Sequence, residues 1–421
     1  MTGFLKRYGS WIVMAAAFVI APAMFTSGFA TTIMSQMAVL IIFALAYNML
    51  LGQGGMLSFG HAIYFGLAGY FSVHYLNLIG EGALFYFPVG LMPLFGGLVG
   101  LLFGTLIGYV STRRAGTTFA MISLGFGEMI TAMTLIWVAF FNGEEGIQTD
   151  RMIGPEPFGV SFGPDIEVYY LIAAWSFLCI VAMYALTRTP FGRMSNAVRD
   201  NPERAEFIGY NTQRVRWQAF ALSSFFAGVA GSLHALNYEH VGVETVSIAQ
   251  SGTVLFMAYI GGVGSFIGPI LGAILITFLN SVLSGVTEAW YLYLGLLFVS
   301  IVMFAPFGLA GIVMMHEPIW KTAPGLLSRL LRPYAIAIGS LLVLLLGVVG
   351  LIEMFYFLST SIFEGSVVKI YWMAVDTATI MPWIIYAMVA VVGFLACRRT
   401  FPMVKAEWGE VITEARARLV Q

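Results

Sequence analysis

The Lys and Arg residues of this chain are sorted rather than scattered. Long apolar stretches alternate with short connections, and of the 20 Lys and Arg only Arg151 and Lys369 fall outside every second connection. Arg113–Arg114, the run from Arg188 to Arg216 and Arg398–Arg399 all sit in the favoured set. Cationic loops stay on the cytoplasmic side of a bilayer, so this alternation marks a chain threaded repeatedly through lipid. Composition agrees, since 59% of the residues are hydrophobic and only 10% charged, far too apolar for a water-soluble globule.

Hydropathy places spans near 11–27, 33–51, 61–77, 88–110, 117–141, 167–187, 216–236, 249–263, 264–283, 288–306, 334–354 and 378–397. The basic alternation decides the weakest of them. A re-entrant 249–263 would carry Lys321, Arg329 and Arg332 to the outside, so a full crossing is expected, with both termini cytoplasmic. The first span follows Lys6 and Arg7 and precedes Gly28-Phe29-Ala30, a pattern shared with signal peptides; it is read as a retained span. The expected fold is all-α and polytopic. A net charge of -1 argues against a nucleic-acid partner. Cys179 and Cys397 lie inside apolar spans, so no disulfide framework is implied. No GxxxxGK[ST] phosphate loop surrounds any of the four lysines, Lys6, Lys321, Lys369 and Lys405. No catalytic residue, metal site or cofactor of the chain's own is expected.

Several patterns inside the spans carry structural meaning. Gly96, Gly100, Gly104 and Gly108 repeat every four residues and form one flat helix face, for which close packing is the simplest reading. Two glycine groups differ from that stripe: GQGGMLSFGH, with Gly54, Gly55, Ser58, Gly60 and His61, and YIGGVGSFIGP, with Gly261, Gly262 and Gly264. Regular helix is costly there. Broken backbone at membrane depth persists only where protein or a water-filled cavity satisfies it, so these segments are candidates for a path or gate near the cytoplasmic ends of the spans. Plain connecting loops are the alternative. Glu128, beside Gly125 and Gly127, is the clearest intramembrane charge, costing about 2.5–3.5 kcal/mol on insertion scales unless it is paired or protonated. Ser123, Gly127, Thr131 and Thr134 make a small or polar stripe beside it, which predicts a helix neighbour on that face.

The longest connection between spans, Thr187 to Arg216, alternates basic and acidic residues. Pro190 and Gly192 break the preceding span, a short helix is predicted from Asn201-Pro202, and Gly209 ends it. A solvated loop is the bland reading. A short helix held between two spans is also how a membrane subunit receives force from a soluble motor.

At these residues the chain resembles the permease subunits of ABC importers for branched-chain amino acids, the LivM-like members. The resemblance rests on GQGGMLSFGHAIYFGLAGY from Gly52, RRAGTTFAMISLGFGEMI from Arg113, TPFGRMSNAVRDNPERAEFIGYN from Thr189, and FALSSFFAGVAGSLHAL followed by YIGGVGSFIGPILGAIL. PFGLAGI from Pro306 matches the family's closing motif. The resemblance implies an inner-membrane importer with a second, LivH-like permease, two cytoplasmic ATPase subunits that carry ATP and Mg, and a periplasmic solute-binding protein. It also implies that Arg199, Asp200, Asn201, Pro202, Glu203, Ala205, Glu206 and Gly209 form the coupling segment. About ten core helices are expected over residues 1–313. Residues 314–421 are then an extension of two transmembrane helices and an amphipathic tail in which Val404, Trp408, Val411, Ile412, Ala415 and Leu419 recur at helical spacing, suited to the inner membrane surface. A permease for urea or short amides is an alternative within the same class. An ion-driven secondary transporter would need several paired intramembrane ionisable groups. The outer connections are acidic at Glu144, Glu145, Asp150, Glu156, Asp165, Glu239 and Glu244, which suits a partner with basic patches.

Overall fold

A computed structural model describes residues 2–84, 87–153, 161–322, 324–360, 366–371 and 373–420; Glu156 therefore lies outside the described residues. The chain is helical almost throughout: α1 (Thr2–Met24), α2 (Gly28–Asn48), α3 (Ala62–Gly80), α4 (Met92–Ser111), α5 (Thr117–Ile136), α6 (Val138–Phe141), α7 (Asp165–Arg188), α8 (Pro190–Asp200), α9 (Pro202–Phe207) and α10 (Thr212–Tyr238). There follow α11 (Ile248–Gly261), α12 (Gly268–Leu283), α13 (Trp290–Phe304), α14 (Gly308–Met315), α15 (Glu317–Thr322), α16 (Leu327–Thr360) and α17 (Ile380–Val420). Two small antiparallel pairs complete it, β1 (Ile147–Gln148) with β2 (His240–Val241) and β3 (Val367–Ile370) with β4 (Met373–Asp376). Among the described residues, eight helices are long and apolar enough to cross a membrane, and a bent pair and three shorter apolar helices account for the remaining expected spans. This is an all-α polytopic membrane protein.

The residues cluster into two compact units, Met1–Val282 with Leu296–Gly311, and Leu283–Gly295 with Ile312–Gln421. In the first unit α10 is the central helix. The α4 glycine stripe lies flat on it: side chains at Gly96, Gly100 and Gly104 would meet Ser232, Gly228 and Ser224 of α10. Without water to drive association, such backbone-to-backbone contact supplies the dispersion energy that holds helices together in lipid.

In the second unit α16 and α17 form a hairpin that closes at three glycines. Gly347 meets Ala390, Gly350 meets Tyr386 and Gly393 meets Leu344. The amphipathic tail is not a separate element, because α17 runs unbroken for 41 residues. Its apolar stripe is covered by the chain itself rather than left for lipid: Val411 and Ala415 are fully buried with Ile319, Leu326 and Leu330, and Trp408 packs beside them. Arg329 reaches Glu407, Glu410 and Glu414 at 3.7, 3.4 and 3.2 Å across this seam. A carboxylate that sequence patterning passes over, Glu353 of α16, accepts hydrogen bonds from Thr287 at 2.7 Å and Tyr293 at 2.6 Å. These two hydroxyl donors make its place in an apolar helix tolerable.

Candidate functional site

The first glycine-rich segment is a break inside the bundle rather than a surface loop. α2 ends in a π-helical turn over Met49–Gln53, and the chain then runs as irregular backbone to His61 before α3 begins. Gly54, Ser58, Gly60 and His61 are buried. Several of the freed backbone groups find side chains from other helices. Phe59 N–H donates to Ser123 Oγ of α5 at 3.0 Å, Ala62 N–H to Ser251 Oγ of α11 at 3.0 Å, and the Tyr47 hydroxyl donates to the Ser58 carbonyl at 2.9 Å. Ser223 Oγ of α10 donates to the Ala46 carbonyl at 2.6 Å and lies 3.1 Å from His61 Nε2. Since that hydroxyl proton is committed to Ala46, the network assigns the His61 proton to Nε2. Phe43 stacks on the His61 ring, and Tyr47, Tyr64 and Phe220 meet it edge-on.

Gly60 crosses α5 at Ser123 and Gly127, where a side chain on Gly60 would strike the Ser123 carbonyl. The predicted α5 stripe is therefore a packing face, with Ser123, Gly127 and Thr134 buried. Gly125 and Glu128 are not brought into this cluster. Both are exposed on the other side of α5, and nothing lies within 4 Å of where a Gly125 side chain would begin.

The second glycine-rich segment is the tip between α11 and α12. Gly262 and Gly264 have positive φ, +116° and +100°, which only glycine adopts cheaply. A side chain on Gly261 would strike the Gly268 carbonyl, and one on Gly308 would strike the Gly262 backbone. PFGLAGI is thus the element that seats the tip. At 14 residues, α11 is about 21 Å long, shorter than the hydrocarbon core. The 3₁₀ turn Val243–Val246 precedes it and packs against Gly66 of α3, so the crossing combines a short helix with buried irregular backbone.

The Thr187–Arg216 connection meets both breaks at the basic end of the bundle. Thr189 caps α8, whose Pro190 occupies the first turn. Arg199 and Asp200 close α8, and α9 begins where the sequence places it: Asn201 is its N-cap, accepting from Arg204 N–H at 2.9 Å. Pro202 and Glu203 fill its first turn. Gly209 ends α9 with φ +94°, while its N–H bonds to the Glu206 carbonyl at 2.9 Å and Tyr210 N–H to the Ala205 carbonyl at 3.0 Å. That is the Schellman arrangement. Ala205 is buried with Val198 and Val215, and Glu206 accepts from Thr212 Oγ1 at 2.7 Å. The helix is therefore pinned to both α8 and α10.

Its exposed side carries an apolar pair beside Glu203, Arg204 and Glu206. Phe207 is 90% exposed and Ile208 67%, two residues sequence reasoning missed; the only signal was an apolar pair inside a charged loop. On the inward side Arg199 Nη1 donates to the Gly52 carbonyl, its stem covers Gly55, Ser195 Oγ donates to the Gln53 carbonyl at 3.4 Å, and Asn48 Nδ2 donates to the Ser265 carbonyl at 3.2 Å. Broken span, hairpin tip and coupling candidate form one contiguous cluster.

At the opposite end, Arg151 alters the expected acidic surface. It is 8% exposed and donates to the carbonyls of Phe162 and Gly163 at 2.7 Å and of Asn237 at 3.2 Å. Asp165 lies 3.0 Å from it, and Glu239 accepts from its backbone N–H at 2.9 Å. Those two carboxylates are engaged in a staple, leaving Glu144, Glu145 and Asp150 as the other exposed acids of the described connection. Asp165 is 60% exposed, so the ion pair contributes little and the buried carbonyls dominate. Arg151→Ala is expected to cost on the order of 2–3 kcal/mol, read as a lowered thermal midpoint of the purified protein, and Arg151→Lys should not restore it because one ammonium cannot span three carbonyls. An unchanged midpoint would contradict the staple.

Buried breaks, glycine crossings and a pinned exposed helix define a transport subunit of the membrane. Residues 29–306 match the family described as branched-chain amino acid transport system permease component, and the chain belongs to that family. It is 28% identical over 290 residues to the high-affinity branched-chain amino acid transport system permease protein LivM of Escherichia coli, covering 64% of this chain and 67% of that one. It is 24% identical over 234 residues to the fructose import permease protein FrcC of Rhizobium meliloti, covering 51% and 63%. To the autoinducer 2 import system permease protein LsrC of Escherichia coli it is 29% identical over 200 residues, covering 45% and 54%. No solved structure matches the chain.

Proposed function

We propose that this chain is the LivM-like permease of an ATP-driven importer that moves branched-chain amino acids inward across the inner membrane. Its partners are a second, LivH-like permease, two cytoplasmic ATPase subunits that bind ATP and Mg, and a periplasmic solute-binding protein. The basic end faces the cytoplasm, with both termini on that side. The observation that carries the reading is α9, a rigid helix with its own cap and stop, pinned to α8 and α10 and presenting Phe207 and Ile208 outward. A motor can push such an element. Through Arg199 and Ser195, displacement of α8 reaches Gly52 and Gln53 directly, so Gly54, Gly55, Ser58, Gly60, His61, Gly261, Gly262 and Gly264 act as the inner gate. Gly125 and Glu128 line the path, because an exposed mid-helix carboxylate fits a wet or protein-covered face and not lipid.

The longer match to LivM than to FrcC or LsrC supports an amino acid as the solute. A different small polar solute, including urea or a short amide, is the second reading, favoured by the relatives named for a sugar and a signal molecule. Residues 1–313 supply the transport core and 314–421 an accessory extension. The purified chain should hydrolyse no ATP alone and should sustain leucine-stimulated turnover once joined by its ATPase subunits and binding protein. Nucleotide turnover by the chain alone, free of contaminants, would sink the proposal.

A further inference from the structure

The surface of the first unit carries a groove of about 620 Å³ that neither the gate nor the coupling helix uses. It lies toward the basic end, where α4 and the last turn of α7 meet the first turns of α8 and α10, and its walls include Leu101, Leu186, Phe191, Ala221 and Leu222. The polar residues of the wall are mostly spent. Thr105 Oγ1 donates to the Leu102 carbonyl at 2.7 Å, Thr189 Oγ1 to the Leu186 carbonyl at 2.6 Å and Trp217 Nε1 to the Thr105 carbonyl at 2.9 Å, while Pro190 has no N–H to offer. A dry concave wall within the spans of a membrane protein is complementary to a hydrocarbon chain.

The mouth of the groove is cationic. Arg113 Cζ lies 4.8 Å from the centroid of the Tyr109 ring, and Tyr109 in turn meets Trp217 edge-on at 6.1 Å. Stacking fixes the guanidinium plane but leaves its N–H donors free for an anion. Arg214 precedes Trp217 and Gln218 by three and four residues, so it lies on the groove face of α10 one turn nearer the helix start. The two arginines belong together because α4 and α10 run antiparallel: Gly96 meets Ser232 and Gly108 meets Phe220, and one more turn of that register brings the end of α4 beside the start of α10. Neither side chain has an acidic partner among the described residues, and Glu206 of α9 is already engaged by Thr212. We propose that the groove binds an anionic phospholipid of the leaflet at the basic end, with one acyl chain along α4 and α10 and the phosphate held between Arg113 and Arg214. A phosphatidylethanolamine headgroup brings an ammonium that paired arginines repel, whereas phosphatidylglycerol brings the phosphate alone. A helix of a partner subunit would cover the dry wall without answering the charge at its mouth. Lipid binding here needs only a membrane-embedded bundle and is independent of the importer reading.

The full-length chain, purified with its partner subunits and delipidated in mild detergent, is titrated with dioleoyl phosphatidylglycerol or dioleoyl phosphatidylethanolamine and weighed by native mass spectrometry. The first phosphatidylglycerol should bind about twentyfold tighter than phosphatidylethanolamine, and Arg113→Gln and Arg214→Gln should each weaken it about fivefold while leaving phosphatidylethanolamine nearly unchanged. Arg399→Gln, which removes an exposed arginine of α17 outside the groove, should alter neither lipid. Leu222→Trp fills the groove and should weaken both; if that chain fails to fold, the two arginine variants decide alone. Glycerophosphate, which carries the anion without the chains, should not displace the lipid. Equal affinity for the two lipids, an Arg399→Gln loss as large as those at the mouth, or displacement by glycerophosphate overturns the proposal. So do arginine variants that keep the wild-type affinity, which is also the outcome if a partner helix covers the groove.

Discussion

Gly100→Leu is expected to remove folded permease from the membrane. A side chain there would run into the Ser224 carbonyl, and its first carbon would lie 2.9 Å from Gly228 Cα and 3.1 Å from Gly228 N. These are backbone atoms of α10, the helix around which the first unit is assembled, and they have no rotamer by which to yield. Overpacking a core usually costs about 1–3 kcal/mol when side chains absorb it. Here the helices must separate along the whole stripe, so the cost exceeds that range against a total stability of about 5–15 kcal/mol. Gly339→Leu is the matched control, since Gly339 is exposed within α16 and nothing outside its own helix lies within 4 Å of where its side chain would begin. Size-exclusion profiles of the two variants in detergent should differ sharply. A monodisperse peak at full yield for Gly100→Leu would show that α4 is free to move away from α10.

That stripe was legible in the sequence because both partners carry the same period: glycines at 96, 100, 104 and 108 face Phe220, Ser224, Gly228 and Ser232. The break after Gly52 was legible as a break, but its environment was not. Ser123, Ser223 and Ser251 complete it from three helices far along the chain, and one serine per helix leaves no periodic trace. The α17 tail shows the opposite failure. Its apolar stripe is plain in the sequence, but amphipathicity records only that a face needs cover, and cover by Ile319 and Leu330 leaves the same pattern as cover by lipid. Acidic residues misled for a related reason. Asp165 and Glu239 count as surface charge until Arg151 is seen between them.

Phe207→Asp should abolish ATP-driven uptake while leaving the permease folded. Asn201, Pro202 and Gly209 announced α9 in the sequence because caps and stops have strong residue preferences, but no preference marks which side of a two-turn helix meets a partner. The structure separates the two sides. Ala205 is 2% exposed and Phe207 90%, so a charge at 207 disturbs no contact within the chain and enters water if nothing docks there. If an ATPase subunit docks there, a buried aromatic anchor of this kind contributes 2 kcal/mol or more, roughly a thirtyfold loss of affinity before the added carboxylate is desolvated. Glu203→Ala, on the same helix and exposed, should change uptake little. The measurements are membrane yield, the thermal midpoint of the purified permease, and co-purification of the ATPase subunits with the Phe207→Asp chain. Normal yield and midpoint with lost co-purification place the motor on α9. Co-purification and uptake at the wild-type level would show that the motor docks elsewhere, and that the exposed pair Phe207–Ile208 meets something other than an ATPase.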